Sequence, residues 1–300
     1  MKNRYVLGLF CVITSAVIYG LSPTGILMVY EGGGNAFSVC FLRMLLNLPV
    51  TFLLMIRYPK KDWKINRKQL GDMILLSLGM GITNLLLVWS YEQVGTGMAT
   101  ALHFTYPMFT LIFCVVLYKE PLQWRALLCM LLSVGGVVFC CNLSGGASTV
   151  GTITALLSGL VFGLYMTYLP RCSVSSLPSI TTIFYVHLIM SIYLGVLTAA
   201  TGHMQLNLTM VAWLMMIFLS IVLTLGGSLL LQVGILRIGP QRAAIFCTFE
   251  PLTAVLTGAL FLHESMSIRN YIGAALILSS IILLTVTDHR KREKVRQLTE

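Results

Sequence analysis

Residues 95–125 read GTGMATALHFTYPMFTLIFCVVLYKEPLQWR, and residues 239–269 read GPQRAAIFCTFEPLTAVLTGALFLHESMSIR. Adding 144 (239 less 95) to the first set of numbers gives the second without a gap. In this register Gly95 falls on Gly239, Ala99 on Ala243, Pro107 on Pro251, Glu120 on Glu264 and Arg125 on Arg269. Two apolar segments match at a few positions by chance, so identity by itself says little. The placement of the matches says more: a glycine opens each copy, a proline stands mid-segment, and a glutamate and an arginine flank the exit. A long-period internal repeat is read first because it sets the architecture.

The surrounding composition puts this repeat in a membrane. Of the 300 residues, 57% are hydrophobic and 10% charged, and the mean hydropathy is +0.87. Soluble domains run about 45–50% apolar and about 25% charged. Apolar runs long enough to cross a bilayer fill nearly the whole chain. A net charge of +10 would point to nucleic acid in a soluble protein; here the distribution of charge matters more, and no nucleic-acid partner is expected. The eight cysteines form no C-x-x-C pair, so they read as small packing residues, with no metal site. Lys2 and Arg4 precede an apolar run that reaches Tyr30, too long for a signal-peptide core, and it reads as the first span.

Ten candidate spans follow, near 5–28, 36–56, 70–91, 95–118, 122–142, 150–170, 178–200, 210–232, 240–262 and 268–287. Each is close to the roughly 20 residues that cross the hydrocarbon core. With the N-terminus in the cytoplasm, every Lys and Arg except Arg43 and Arg269 falls on the cytoplasmic side. Both termini are therefore expected inside, with the basic tail Arg290–Arg296 as a topology anchor. The spacing divides the chain into a first five-helix repeat, 1–145, and a second, 146–300, which carries the tail. Five is odd, so the two halves must enter the membrane in opposite directions. Ser15 to Gly20 in the first span is echoed by Ser158 to Gly163 in the sixth. Ala16/Gly20 and Gly159/Gly163 are small-x-x-x-small pairs that let helix backbones approach closely. The expected fold is an all-α membrane protein of ten transmembrane helices in two inverted five-helix repeats, a signature of secondary transporters.

These motifs resemble the drug/metabolite transporter superfamily, in particular bacterial EamA-type proteins. The resemblance rests on the S-x-x-x-x-G of spans one and six, on Arg43, and on the repeated G-x-x-x-A … P … E-x-x-x-x-R pattern. It covers essentially the whole chain, with structural rather than substrate-defining motifs. The second copy departs at His187, which does not repeat Arg43, and at Ser279-Ser280, where the first has Gly135-Gly136. The resemblance implies ten helices, a central cavity between the halves and export of amino acids or other small metabolites.

Among candidate functional residues Glu250 is the sharpest. It lies about eleven residues into the ninth span, about 16 Å deep on a helical rise. A carboxylate there costs at least about 2.5–3.5 kcal/mol and is a functional-site hypothesis by default. It could carry a coupling proton, act as counter-ion to a substrate amine, or serve the backbone freed by Pro251. Tyr106 takes the equivalent position in the first copy, entered from the other side, and His103 is one turn nearer the outside. Arg43 either bonds Glu31 or Glu92, snorkels outward, or binds a substrate carboxylate. Facing one cavity, Arg43 and Glu250 would suit a zwitterion. Asn84, Trp89, Tyr19 and Phe162 complete the polar and aromatic set, although Trp89 and Tyr91 also suit an interfacial belt. Pro107 and Pro251 are the expected helix breaks and gating bends. Gly20 and Gly163 are expected to be structural, as are Glu120 with Arg125 and Glu264 with Arg269, each glutamate capping a helix and pairing across its turn.

The leading reading is a multi-pass secondary transporter of the cell (inner) membrane. It would export a small metabolite, an amino acid or related compound, by alternating access, with protons as a coupling ion or by facilitated diffusion. Its partners would be a small-molecule substrate and the lipid bilayer, with no cofactor, as a monomer or homodimer. A membrane-embedded transferase would need a His/Asp or paired acidic constellation, which the five histidines do not form apart from His289 beside Asp288 in the charged tail. A non-transporting sensor would need a signalling domain. No G-x-S-x-G or Walker motif is present, and no enzyme activity is expected.

Overall fold

The structure, a computed structural model, describes residues 2–57, 65–121, 124–140, 148–253, 268–269, 271–280 and 282–283. Glu264, the basic tail and parts of the ninth and tenth expected spans lie outside the described residues. The first half of the sequence forms α1 (Lys2–Gly20), α2 (Ser22–Glu31), α3 (Ala36–Arg57), α4 (Arg67–Val94), α5 (Thr96–His103), α6 (Tyr106–Val116) and α7 (Trp124–Cys140). The second forms α8 (Thr149–Tyr168), α9 (Ser179–Ala200), α10 (Met210–Phe218), a π-helical segment Leu219–Gly227, α11 (Ser228–Ile238) and α12 (Pro240–Phe246). Helix resumes at 249–253 and again at Tyr271–Ser280.

All regular structure among the described residues is helical, as a lipid environment demands of a chain that must satisfy its backbone within each segment. Six continuous stretches are long and apolar enough to cross a membrane: Arg4–Glu31, Ala36–Arg57, Arg67–His103, Thr149–Tyr168, Ser179–Ala200 and Met210–Ile238. Tyr106–Val116, Leu127–Phe139 and Tyr271–Ser280 are shorter apolar helices. The expected span 95–118 is not one helix, because the chain breaks between His103 and Tyr106. Helix starts fall where polar residues supply caps. Asn66 and Gln69 form a reciprocal capping box at α4, and the Ser148 hydroxyl accepts from Gly151 N at α8.

The halves interlock rather than sit side by side. α1 packs on α11 and α8 packs on α4, so the first helix of each half lies against the third of the other. α3 packs on α9, and α7 meets Tyr271–Ser280 through a 2.7 Å bond between the Ser133 and Ser280 hydroxyls. Each of these pairings joins corresponding or exchanged helices of the two halves, as a repeat of two halves would give.

The opening glycines of the repeat share one backbone conformation. Gly95 has φ 77°, ψ 159° and Gly239 has φ 85°, ψ 160°, a conformation that glycine alone adopts freely. Each ends one helix and begins the next: Gly95 N donates to Tyr91 O and Ala99 N to Gly95 O, while Gly239 N donates to Ile235 O and Ala243 N to Gly239 O. α4 runs 28 residues from Arg67, beside the 168–173 turn, to Gly95. Gly239 instead lies beside Gln241, which bonds Glu120 at the far end of α6. The two glycines thus occupy opposite ends of the bundle.

A second pair explains the small-residue motifs. A Cβ on Gly20 would lie 2.7 Å from Glu250 O, and one on Gly163 would lie 3.3 Å from Tyr106 O and 2.9 Å from Phe109 Cβ. Each glycine therefore lets its helix approach the other half's mid-segment break. Gly20→Ala and Gly163→Ala should each cost about 1–3 kcal/mol, read as a lower thermal midpoint of the detergent-solubilised protein. Gly71→Ala, within α4 and with a methyl that meets nothing within 4 Å, should not lower the midpoint and should raise it slightly.

Candidate functional site

The site grows from the twin breaks. α5 ends at His103 and α6 begins at Tyr106; α12 ends at Phe246 and helix resumes at 249. A proline cannot donate to the preceding turn, and Pro107 sits in the first turn of α6. Side chains take up carbonyls at the break: the Thr105 hydroxyl donates to Leu102 O at 2.7 Å and the Thr248 hydroxyl to Ile245 O at 2.6 Å. Tyr106 and Glu250 therefore lie in the first turn of the second segment of each broken helix. Tyr106 is 1% exposed and its hydroxyl, beside the Cys247 thiol, makes no geometrically sound hydrogen bond. Glu250 is half-buried, and its carboxylate accepts no hydrogen bond from the described residues.

Arg43 reaches the same region from α3. Its Nε donates to the Thr224 hydroxyl at 2.9 Å. The Thr224 proton is directed to Leu219 O at 3.0 Å within the π-helical segment, which leaves the oxygen to accept from Arg43. Ser220 and Asn47 both donate to Arg43 O at 2.7 Å, fixing the backbone beneath the guanidinium. π-Helical turns are rare and frequent at functional sites; here one turns two hydroxyls toward one arginine. Arg43 is 4% exposed, yet neither Nη group has a partner among the described residues. The expected bonds to Glu31 or Glu92 do not form: Glu31 is exposed, and Glu92 accepts from Ala36 N at the start of α3.

Tyr19 packs against the end of the same π-helical segment. Its hydroxyl bonds the Ser228 hydroxyl at 2.9 Å, and its ring lies where a Cβ on Gly227 would come within 2.8 Å. Tyr19 is in electrostatic range of both Arg43 and Glu250, and Glu250 is in range of Arg43. One side of this neighbourhood is aromatic. The Phe162 and Tyr106 rings meet edge-on at 4.8 Å, His103 lies 5.3 Å from Tyr106 and 5.5 Å from Phe162, and Tyr165 stacks on Phe162 at 5.8 Å.

Among the described residues neither Asn84 nor Trp89 makes a hydrogen bond or ring contact with this group. Asn84 Nδ2 donates to Met80 O in its own helix, and Trp89 packs half-buried against the apolar core. Tyr91 is 7% exposed, which excludes a lipid-facing belt position for it. Sequence reasoning missed the fixed polar knot around Arg43, namely Asn47, Ser220 and Thr224, and the pairing of His187 Nδ1 with Asn47 Oδ1 at 3.0 Å. The signal was available: 43 plus 144 is 187, so His187 is the repeat counterpart of Arg43, and α3 and α9 face each other.

At one end of the bundle the halves are joined by polar side chains. Glu120 pairs with Arg171 and accepts from Gln241 Nε2 at 2.8 Å, while the Arg171 guanidinium lies 4.1 Å over the Tyr118 ring. This corrects the expected pairing of Glu120 with Arg125, which is exposed; Arg269 is also exposed, and Glu264 lies outside the described residues. Asp72 accepts from Tyr168, from Ser173 N at 2.7 Å and from the Ser173 hydroxyl. At the opposite end Asn35 and Ser38 donate to His203 O, and Thr209 N donates to Gly32 O at 3.0 Å.

Two broken helices near a buried arginine and a half-buried glutamate are the main features of this region, and comparison with known proteins places the chain in a family. The profile of the EamA-like transporter family matches the chain twice, over residues 6–141 and 149–286. The chain belongs to this family. An uncharacterized transporter of Synechocystis is 27% identical over 95% of this chain and 94% of the relative. An uncharacterized transporter of Archaeoglobus fulgidus is 26% identical, covering 91% of this chain and 94% of its own. A solved crystal structure superposes with a TM-score of 0.79 over 97% of this chain and 99% of the other at 13% identity, a likeness of fold alone. This EamA-like chain is a multi-pass protein of the cell membrane, and its family implies a small-molecule substrate.

Proposed function

We propose that this EamA-like transporter exports a small zwitterionic metabolite of the amino-acid class, held between Arg43 and Glu250. The observation that carries the reading is a pair of opposite charges, one buried and one half-buried, whose guanidinium Nη groups and carboxylate have no hydrogen-bond or ion-pair partner among the described residues. Unpaired charge inside a membrane is costly and is retained for function. A carboxylate would bind the free guanidinium edge bidentately, and an ammonium would bind Glu250. Tyr19 would lie between the two ends. Ten spans, with the Lys- and Arg-rich end in the cytoplasm, follow from the positive-inside rule.

Transport would proceed by alternating access, the breaks before Pro107 and Pro251 serving as bends. The Glu120–Arg171–Gln241 and Asp72–Tyr168–Ser173 clusters would close the cytoplasmic end between cycles. Glu120 and Arg171 side chains are 38% and 22% exposed, so their pairing contributes at most about 1 kcal/mol, a population shift of about five-fold. Glu120→Gln, in a protein with Cys247 as its sole cysteine, should therefore raise maleimide labelling in inside-out vesicles two- to five-fold. An unchanged rate would remove this pair from the gate. The function itself is tested by a thermal-shift screen of the purified protein against the amino acids, followed by counterflow in proteoliposomes with those that stabilise it. Stabilisation by none would overturn the substrate class.

A further inference from the structure

His103 carries an inference that rests on the transporter reading and sharpens it. The Ser158 hydroxyl has one proton, and it points to Ala155 O at 2.6 Å, a carbonyl that can only accept. Toward His103 Nδ1, 2.9 Å away, the Ser158 oxygen is therefore the acceptor, and Nδ1 carries the ring proton. In the neutral ring this leaves Nε2 as a bare acceptor. No described residue donates to it, although His103 is 6% exposed. Nor is this nitrogen among the sealed, partnerless buried atoms, which are those of Thr100, Tyr106, Thr182, His187 and Gln232.

The surroundings hold the ring firmly. Phe104, Tyr106 and Phe162 pack around it at 5.3–5.9 Å between centroids. A Cβ on Gly159 would meet His103 O at 2.6 Å, so α8 is pressed against the backbone of this residue. The ring lies 5.3 Å from Tyr106, the repeat counterpart of Glu250, and the Tyr106 hydroxyl sits beside Cys247, three residues before the proposed counter-ion.

We propose that His103 is a specificity-determining residue, whose Nε2 accepts a hydrogen bond from an N–H or O–H donor of the transported molecule. Arg43 and His103 then read different things: the guanidinium takes an anionic end, and the imidazole nitrogen requires a donor. The donor is either the substrate ammonium, shared with Glu250, or a hydroxyl or N–H on its side chain.

Two substitutions separate this role from a structural one. Asn at 103 can place an amide N–H where Nδ1 was, keeping the Ser158 bond and losing the acceptor. Gln can place its amide oxygen where Nε2 was, keeping the acceptor and losing the Ser158 bond. The experiment measures thermal shifts of wild type, His103→Asn and His103→Gln with valine, threonine, phenylalanine and tyrosine, together with the 15N resonances of His103 in the ligand-free protein. The expected result is an unprotonated Nε2 and an affinity at least ten-fold weaker in His103→Asn than in His103→Gln. A side-chain donor is indicated if wild type prefers threonine over valine or tyrosine over phenylalanine and His103→Asn loses that preference. The ammonium is indicated if all four amino acids weaken alike. Equal affinities in the two variants, or better binding by His103→Asn, would overturn the proposal. If wild type responds to no amino acid, the zwitterion reading fails and the resonances decide for His103: a proton on Nε2 overturns its role, and a bare Nε2 supports it.

Discussion

Arg43→Gln is expected to lose affinity for the substrate by thirty-fold or more while the protein keeps its fold. Removing one partner of a desolvated, hydrogen-bonded charge pair costs about 2–5 kcal/mol, which sets that lower bound. Stability should move the other way or stay constant. Arg43 is 4% exposed and has no carboxylate within ion-pair distance among the described residues, so deleting its charge relieves a desolvation cost. Glutamine can still bond Thr224, and the bonds of Ser220 and Asn47 to the Arg43 carbonyl are untouched. The two measurements are the thermal midpoint without ligand and its shift with amino acid. A structural arginine would give the reverse pattern, a fallen midpoint with residual ligand response.

Glu250→Gln should have an effect of similar size at the other end of the substrate. The substitution keeps shape and hydrogen-bonding capacity, so the helix restarting before Pro251 and the contact of Glu250 O with Gly20 remain. What it removes is the negative charge, and with it both a counter-ion for an ammonium and a carrier for a proton. Substrate-driven flux in proteoliposomes should fall by thirty-fold or more on the same reasoning, with an unchanged elution profile and thermal midpoint. If flux and any accompanying proton movement persist at wild-type rates, Glu250 has no part in the mechanism.

Much of the architecture was legible because the repeat is written in backbone requirements. Gly95 and Gly239 match since both take the same left-sided φ, and Gly20 and Gly163 match since both lie against a mid-segment break. Such constraints depend on local geometry, so they survive in sequence. Partner choice was less legible. Glu120 and Arg125 are near in sequence, but the chain turns so that Arg171 and Gln241 from the other half reach Glu120 first. Arg43 failed to meet Glu31 or Glu92 for a similar reason: its partner Thr224 is 181 residues away and is presented by a π-helical segment. Nothing in the apolar pattern of Leu219–Gly227 announces that geometry, since an extra residue per turn leaves hydropathy unchanged. The first-half counterpart of that segment lies inside the regular helix α4, so the repeat itself gave no warning either.

The difference between the halves is also where the chemistry concentrates. Tyr106 stands opposite Glu250, His103 opposite Cys247, and Arg43 opposite His187, each pair separated by the same 144 residues. An inverted repeat supplies two equivalent frames, and a substrate with unlike ends needs unlike residues on them. That requirement favours divergence at these side chains, while Pro107 and Pro251 beside them and Gly20 and Gly163 against them answer to backbone packing and stay matched.

The central claim is that Arg43 and Glu250 hold opposite ends of one molecule. The most direct measurement compares binding of a stabilising amino acid, its carboxamide and its N-acetyl form to wild type, Arg43→Gln and Glu250→Gln. Wild type should prefer the free amino acid over both analogues by at least thirty-fold. Arg43→Gln should lose discrimination against the carboxamide only, and Glu250→Gln against the N-acetyl form only. Loss of both preferences in either variant, or equal binding of all three compounds to wild type, would contradict the claim.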